Sequence, residues 1–130
     1  MNLNLSTWRA GMTGIKRGEI HLASLDPTLG REIANTRPVV IISNNISNQY
    51  SGTITVLPVT SQNIGKIYPF EVKLKKGTAN LPKNSKVKTD QIQSIDVRRI
   101  VKRIGRLDAE VVSRIEVALK IHLDLEIDQY

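Results

Sequence analysis

The residue best placed to do chemistry in this chain is an arginine at the start of a predicted buried strand. Arg37 follows the turn at residues 26–28 and precedes residues 39–42, four β-branched apolar residues in a row. Such a run predicts a strand that is buried. A guanidinium stays charged, and at the end of a rigid element it can hold a phosphate in fixed geometry. The position therefore predicts phosphate binding by Arg37, with a structural ion pair at the strand start as the alternative.

The charge distribution favours an anionic partner. The chain carries 19 lysines and arginines against 12 acidic residues, a formal net charge of +7 at pH 7. Residues 83–106 hold eight basic residues and two acidic ones, whereas residues 107–130 hold six acidic residues and two basic ones. One basic wall and one acidic end are typical of a protein that binds nucleic acid. A solvated surface that is merely basic is the alternative.

Length and composition exclude several classes of protein. The 130 residues suffice for one domain with a single buried core. The absence of cysteine excludes disulfides and thiolate metal sites, and His21 and His122 lack the spacing of metal ligands. No apolar stretch is long enough to cross a bilayer, and the first residues do not form a signal peptide. We therefore expect a soluble, cytoplasmic protein that needs no metal and no other cofactor.

The first residues differ in composition from the rest of the chain. Residues 1–14 are rich in Asn, Ser, Thr and Gly and show no periodicity, which predicts a flexible leader. Met12 lies just before the first regular segment, so we interpret it as a candidate native start. We predict that residues 15–127 form a single domain.

Short apolar segments with a period of two predict a β-rich fold. Pro58 demands an irregular end to the third strand, and Gly105 is expected to close the last one. The asparagine-rich residues 44–45 and 48–52 predict a polar loop. The predicted strands cover residues 20–25, 39–42, 53–57, 70–74, 87–95 and 99–104.

The last segment changes to the period of a helix. Asp108 is a favourable N-cap, and Glu110 lies in the first turn, where the helix dipole favours an acidic residue. Val111, Ile115 and Leu119 then recur at helical spacing. Many short strands followed by one helix predict a β-rich α+β fold, built as a curled sheet or a small barrel.

Several short segments together resemble the MazF/PemK/Kid family of toxin endoribonucleases. The resemblance covers about residues 15–125, and the segments occur in the family's order and at its spacing. Each segment alone is a weak signal, but the combination is specific. The segments are Lys16-Arg17-Gly18-Glu19-Ile20, Leu25-Asp26-Pro27-Thr28 with Gly30 and Glu32, Arg37-Pro38-Val39-Val40, Pro58-Val59-Thr60-Ser61-Gln62, Tyr68-Pro69-Phe70-Glu71-Val72, Asp90-Gln91-Ile92 and Ser94-Ile95-Asp96.

The resemblance implies a fold, an assembly and a reaction. The fold is a small SH3-like (PemK/CcdB-like) barrel of short antiparallel strands with a C-terminal helix, usually as a homodimer. The activity is that of a type II toxin, which an antitoxin neutralises and which cleaves single-stranded mRNA at a short sequence, without a metal and without the ribosome. Such cleavage can use the substrate's 2′-hydroxyl as nucleophile, leaving a 2′,3′-cyclic phosphate and a 5′-hydroxyl. It needs a base, an acid and cations that stabilise the developing negative charge.

The resemblance also implies which residues carry out the reaction. Arg37 matches the catalytic arginine, and Thr60 matches a hydroxyl that can donate to a phosphate oxygen. Glu32 matches a carboxylate that acts as the base or orients Arg37. Asp90 matches a second candidate base, two residues after Lys88 and on the same face of a strand; a structural bond into a neighbouring turn is its alternative. Lysine replaces the family's arginine at position 88, which counts against a general acid there.

A second set of residues is predicted to hold the RNA. Phosphate contacts hold a strand without reading its bases, and an exposed aromatic ring can stack on a base. For Ser61 the alternative is a bond to its own backbone, and for Tyr68 it is a cover over the barrel mouth. The predicted RNA-binding set is Lys16, Arg17, Arg31, Ser61, Gln62, Tyr68, Lys86 and Lys88.

Two other functions are compatible with the same fold. A gyrase-poisoning toxin would use the barrel without any RNA chemistry, and a catalytically silent relative would only bind RNA or an antitoxin. The intact segments Arg37-Pro38 and Thr60-Ser61-Gln62 favour the nuclease.

Overall fold

Seven short strands and two α-helices, the longer of them C-terminal, form most of the described part of the chain. The computed structural model describes residues 14–25 and 36–126. Apart from Gly14, the predicted leader lies outside the described residues, as does Met12. The strands are β1 (Glu19–Ser24), β2 (Thr36–Ile41), β3 (Thr53–Thr60), β4 (Glu71–Leu74), β5 (Ser85–Lys88), β6 (Gln93–Asp96) and β7 (Ile100–Arg106), and the α-helices are α1 (Asn45–Tyr50) and α2 (Ala109–Leu123).

All seven strands belong to one antiparallel sheet. Along the sheet the order is β4-β5-β3-β2-β1-β7, and β6 pairs with the first half of β3. No ladder among the described strands joins β4 to β7, so the sheet is not closed into a complete barrel. The predicted β-rich α+β fold of short antiparallel strands with a C-terminal helix is confirmed.

The apolar run that begins after Arg37 is buried on both faces of the sheet. Val40 packs in one core cluster with Leu57 and with Ile115 of α2. Val39 points to the opposite face and packs in a second cluster with Val56. Strand β2 is therefore fixed from two sides, as expected for a strand without polar residues at alternate positions.

Strand β3 continues through Pro58, so the prediction that Pro58 ends it is wrong. On one edge of β3, Pro58 pairs with Val39 of β2. On the other edge, β6 pairs with β3 as far as Val56, and β5 pairs with it from Val59 onward. Pro58 lies in the gap between these two partners. A residue without an N–H group is tolerated where the ladder on one edge is interrupted.

The predicted single strand at residues 87–95 is also wrong, because the chain forms two strands around a 3-10 turn. The pairing offset between β5 and β3 differs by three residues from that between β6 and β3. The turn Thr89–Gln91 has that length. Thr89 is fully buried, and its hydroxyl donates to the Phe70 carbonyl at 2.6 Å. The turn therefore uses three residues to carry the chain past the Pro58 gap.

Two further predictions, the polar loop after β2 and the end of the last strand, are wrong. The segment predicted as a polar loop contains α1, because the Asn44 side chain caps the helix by accepting from the Ser47 amide at 2.8 Å. Gly105 lies inside β7 rather than closing it. The prediction for α2 is confirmed: Asp108 is its N-cap, and the Asp108 carboxylate accepts from the Val111 amide at 3.0 Å.

The position of Gly105 yields a test of the sheet packing. A Cβ at this position would lie 2.4 Å from the carbonyl oxygen of Ala79, which is backbone and has little freedom to move. We expect Gly105→Ala to lower the free energy of unfolding by about 2 kcal/mol, the usual cost of overpacking. The matched control is Gly65→Ala, where an added Cβ meets no atom within 4 Å. Urea unfolding of both variants checks this, and equal stabilities would contradict it.

Candidate functional site

An open cleft of about 330 Å³ lies where β2 begins and β3 ends. Val39 pairs with Pro58 at one end of the β2–β3 ladder. Arg37 and Thr60 each lie two residues beyond this pair, so they face each other past the same end of the ladder and on the same face of the sheet. The two residues share this cleft although 23 positions separate them in the chain. The cleft, called the Arg37–Thr60 cleft below, is lined by Thr36, Arg37, Pro38, Val59, Thr60, Ser61, Gln62, Leu81, Pro82, Lys83 and Ser85.

The Thr60 hydroxyl is held in place by its own backbone. Its Oγ1 accepts a hydrogen bond from the Gln62 amide at 3.1 Å. The bond to the backbone that was the alternative for Ser61 is therefore formed by Thr60. Because this bond uses a lone pair of Oγ1, the hydroxyl proton remains able to donate into the cleft. Ser61 and Gln62 are exposed beside it.

Arg37 is exposed and forms no ion pair with any described residue. Within residues 14–25 and 36–126, the alternative of a structural ion pair therefore finds no partner. Glu32 and Arg31, the other predicted site residues in this part of the sequence, lie outside the described residues.

A buried charge cluster, formed by Glu71, Lys86 and Lys88 with Asp90 at its edge, lies close to the cleft. The Glu71 side chain is fully buried, and its two oxygens accept from Lys86 Nζ at 3.0 Å and from Lys88 Nζ at 2.8 Å. Burial alone would raise the pKa of Glu71, but hydrogen bonds from Lys88, the Tyr68 amide and Lys86 outweigh it. They lower the pKa to about 2, so Glu71 is ionised at neutral pH.

Asp90 belongs to this charge cluster and does not line the cleft. Its Oδ1 lies 3.7 Å from Lys88 Nζ, outside hydrogen-bonding distance. The two charges meet, but not by strand alternation, because Lys88 ends β5 and Asp90 lies in the 3-10 turn. The hydrogen bond to Glu71, followed by the charge of Asp90, raises the pKa of Lys88. Lys88 therefore stays charged, and its ammonium is bound to Glu71 within the cluster.

Lys86 does not reach the surface, which corrects its prediction as an RNA contact. The residue is 3% exposed, and Nζ donates to the carbonyls of Asn63 and Lys66 at 3.0 and 3.1 Å as well as to Glu71. All three protons of the ammonium are therefore used within the protein. Removing one partner of such a buried pair costs about 3–5 kcal/mol.

Tyr68 lies on the surface at the end of the loop that follows β3. Its ring is stacked on Phe70, with the centroids 5.4 Å apart and the planes within 5° of each other. Lys66 Nζ lies 4.9 Å from the Tyr68 ring centroid. Tyr68 is 42% exposed. The Tyr68 ring is thus held parallel to that of Phe70 and is partly exposed to solvent, a geometry that can stack on a base.

Lys16 and Arg17 lie at the opposite end of β2 from Arg37. Arg17 Nε donates to the Ile42 carbonyl at 2.9 Å, and its guanidinium pairs with Glu116 of α2 at 2.8 Å. Five residues of extended chain separate Arg37 from Ile42, about 16 Å at the usual rise per residue. Arg17 therefore joins the sheet to the helix, and neither residue lines the Arg37–Thr60 cleft.

Neither histidine lines the cleft. His21 is buried in β1, and its Nε2 lies 3.0 Å from Oε1 of Glu19. The ring of His122 lies beside Phe70. Within residues 14–25 and 36–126, no group of three His, Asp or Glu side chains is arranged to hold a metal ion. The described helices include none that could span a membrane.

Comparison with known proteins decides the family. A family model described as "PemK-like, MazF-like toxin of type II toxin-antitoxin system" matches residues 16–123. The chain belongs to this toxin family. The match spans every described strand and α2, so the Arg37–Thr60 cleft is built from family sequence.

Relatives of this toxin-family chain bear names that state an activity. Endoribonuclease MazF9 of Mycobacterium tuberculosis is 44% identical over 116 residues, which cover 85% of this chain and 98% of the relative. Endoribonuclease EndoA of Bacillus subtilis is 33% identical over 111 residues, covering 85% and 96%. Among solved structures, a MazE-MazF complex (Form-I) from Deinococcus radiodurans matches with a TM-score of 0.63 at 28% identity, over 85% of this chain and 97% of that one.

Sequence reasoning missed two residues that matter in this toxin-family site. Lys83 lines the cleft and supplies a second cation beside Arg37. Glu71 organises the charge cluster. Glu71 lies within a segment that carried the resemblance and directly precedes a strand residue of the core. An acidic residue in a predicted strand opposite two lysines is the signal that could have revealed it.

The lowered pKa of Glu71 predicts a pH-dependent contribution to stability. The pKa falls from the ordinary 4.5 to about 2, so the contribution is fully present above pH 4.5 and is lost as the pH falls toward 2. We expect Glu71→Gln to cost on the order of 3 kcal/mol at pH 6 and clearly less at pH 3. Urea unfolding at the two pH values measures the difference from the wild type.

The control for this prediction is Glu116→Gln, which removes the half-exposed partner of Arg17. Surface ion pairs contribute about 1 kcal/mol or less. A cost for Glu71→Gln that is the same at pH 3 and pH 6 would show that the charge of Glu71 does not stabilise the fold.

Proposed function

We propose that this endoribonuclease of the MazF-like toxin family cuts single-stranded mRNA at a short sequence, without a metal ion and without the ribosome. The observation that carries the proposal is the meeting of Arg37 and Thr60 in one open cleft. An exposed guanidinium and an oriented hydroxyl beside each other fit a phosphodiester. The names of the two relatives, both endoribonucleases, support the same activity.

The proposed reaction uses the nucleophile that RNA itself carries. A base takes the proton of the 2′-hydroxyl, the O2′–P bond forms, the P–O5′ bond breaks, and the 5′-oxygen receives a proton. The products are a 2′,3′-cyclic phosphate and a 5′-hydroxyl. Arg37 holds two phosphate oxygens and stabilises the charge that develops on them. Thr60 donates its hydroxyl proton to a phosphate oxygen.

The base is one of the two carboxylates that the family resemblance implies. Glu32 and Asp90 remain the candidates for this role. The position of Asp90 in the charge cluster, outside the lining of the cleft, favours Glu32. In this assignment Asp90 helps to hold Lys88.

The RNA chain is proposed to run along the rim of the cleft. Lys83 and the exposed Ser61 and Gln62 line the cleft beside the catalytic pair and can contact phosphates or sugars. Tyr68, further along the same loop, can stack on a base. Lys88 is partly exposed and contributes charge at this end of the sheet.

Membership of a type II toxin–antitoxin family supports a protein partner that suppresses the activity. A relative of known structure is a MazE-MazF complex. We propose that this chain binds an acidic antitoxin in the cytoplasm, where carboxylates of the partner would compete for the cations of the cleft. Undiminished cleavage in the presence of excess antitoxin would contradict this partner.

We further propose that the protein is a homodimer. The exposed apolar residues Val117, Ile121 and Leu123 of α2 offer a surface for a second copy. A monomer in sedimentation experiments at micromolar concentration would contradict the dimer.

Replacing Arg37 tests the nuclease mechanism. In EDTA, the wild-type protein should cut a long single-stranded RNA at discrete sites and leave intact an otherwise identical DNA, which lacks the 2′-hydroxyl. We expect Arg37→Ala to lower the cleavage rate by on the order of 100- to 1,000-fold while RNA affinity changes much less. Mapped RNA ends and a filter-binding titration measure the two quantities.

The control is Arg114→Ala, which removes an exposed arginine of α2 and should leave the rate unchanged. Arg37→Ala cutting at the wild-type rate would remove Arg37 from the mechanism. Intact RNA together with inhibited gyrase would instead support the gyrase-poisoning alternative, and bound but uncut RNA would support the silent relative.

A further inference from the structure

We propose that Lys86, acting together with Glu71, is a positioning residue that fixes the loop between β3 and β4 and thereby selects the RNA sequence that is cut. The loop comprises residues 61–70. This inference rests on the proposed nuclease function. It assigns to the buried lysine a role that requires no contact with RNA.

The ammonium of Lys86 holds the middle of the loop by its backbone. Nζ donates to the Asn63 carbonyl at 3.0 Å and to the Lys66 carbonyl at 3.1 Å. Asn63 has a φ of 51°, in the left-handed region that asparagine tolerates better than most residues other than glycine. The two bonds from Lys86 therefore hold a backbone turn that the local sequence already permits.

Glu71 holds the far end of the same loop. Its Oε1 accepts from the Tyr68 amide at 3.0 Å and from Lys86 Nζ at 3.0 Å. One carboxylate oxygen therefore binds both the end of the loop and the ammonium that holds the middle of the loop; these contacts are called the clamp below. Lys88 Nζ binds the other oxygen at 2.8 Å and fixes the carboxylate. The orientation of Tyr68 and the path of residues 63–66 therefore depend on one buried charge pair.

The clamped loop carries residues proposed to meet RNA at both of its ends. Ser61 and Gln62 line the Arg37–Thr60 cleft, and the Tyr68 ring is partly exposed, with Lys86 Nζ 6.0 Å from its centroid. The clamp sets the distance and angle between the cleft and the stacking ring. A fixed spacing admits some base sequences and rejects others, because a misplacement of about 1 Å can cost 100-fold in rate.

The test uses Lys86→Met, which keeps an unbranched side chain, one heavy atom shorter, and removes its charge. Cleavage of a random single-stranded RNA pool, followed by sequencing of the ends, gives the cut-site profile. We expect a folded Lys86→Met protein to lose base preference at one or more positions and to lower kcat/KM on the preferred substrate by on the order of 10- to 100-fold. Arg37→Ala should lower the rate with the profile unchanged.

A second readout follows the loop without any RNA. Trypsin cuts after lysine, and Lys66 lies in the clamped segment. We expect faster cleavage after Lys66 in Lys86→Met, and faster hydrogen exchange of the Tyr68 amide, than in the wild type. The matched control is Lys73→Met, because Lys73 is exposed and pairs directly with Lys86 in the register of β4 and β5. The control should change neither readout.

The possible outcomes separate this inference from the function on which it rests. A folded Lys86→Met protein with the wild-type cut-site profile overturns the positioning role alone. A wild-type protein that cuts no RNA overturns the proposed function, and the selection role with it. If Lys86→Met does not fold, Lys86→Arg and Glu71→Gln are judged by the same profile, and wild-type profiles in both overturn the inference.

Discussion

The antiparallel pairing of β2 with β3 is the constraint on which the site depends. Val39 and Val40 pair with Pro58 and Leu57, and these four residues are buried. A shift of one residue in this register would turn every side chain of one strand to the opposite face. The two-sided burial of β2 makes such a shift costly, because it would displace both core clusters at once. Arg37, two residues beyond Val39, is therefore positioned by the hydrophobic core.

The second constraint is electrostatic, and it acts on the rim of the cleft. Three charged side chains lie at or near the interior of a small domain, and each finds its partners within the cluster or the adjacent loop. A buried ion pair contributes little net stability compared with apolar residues of similar size, but it fixes geometry strongly, since an unpaired member is costly. The cluster of Glu71, Lys86 and Lys88 is thus better explained by the loop geometry that it fixes than by a gain in stability. This explanation agrees with the proposal that the shape of the loop sets the selectivity of the site.

The sequence predicts those features that depend on local pattern or on the family segments. The apolar run at residues 39–42 identified a buried strand, and Asp108 identified the start of the helix. Prediction from the sequence failed where the tertiary structure overrides the local pattern. Pro58 is tolerated because a ladder changes partner beside it, and the turn Thr89–Gln91 exists to take up an offset between two strands. Neither pairing is visible in a single chain before the strands have been assigned.

The positive charge of this protein shows why composition alone is a poor guide to a nucleic-acid site. Lys86 and Lys88 alternate on β5, a pattern that usually means exposure, yet Lys86 is buried because the loop after β3 folds over it. Arg17 is committed to Glu116, and it lies at the far end of β2. Among the residues that the structure describes, two cations line the cleft, Arg37 and Lys83. In the proposed function these two side chains would contact phosphates, which hold a strand without reading its bases. Lys86 would act from inside the protein, by fixing the shape of the loop beside the cleft.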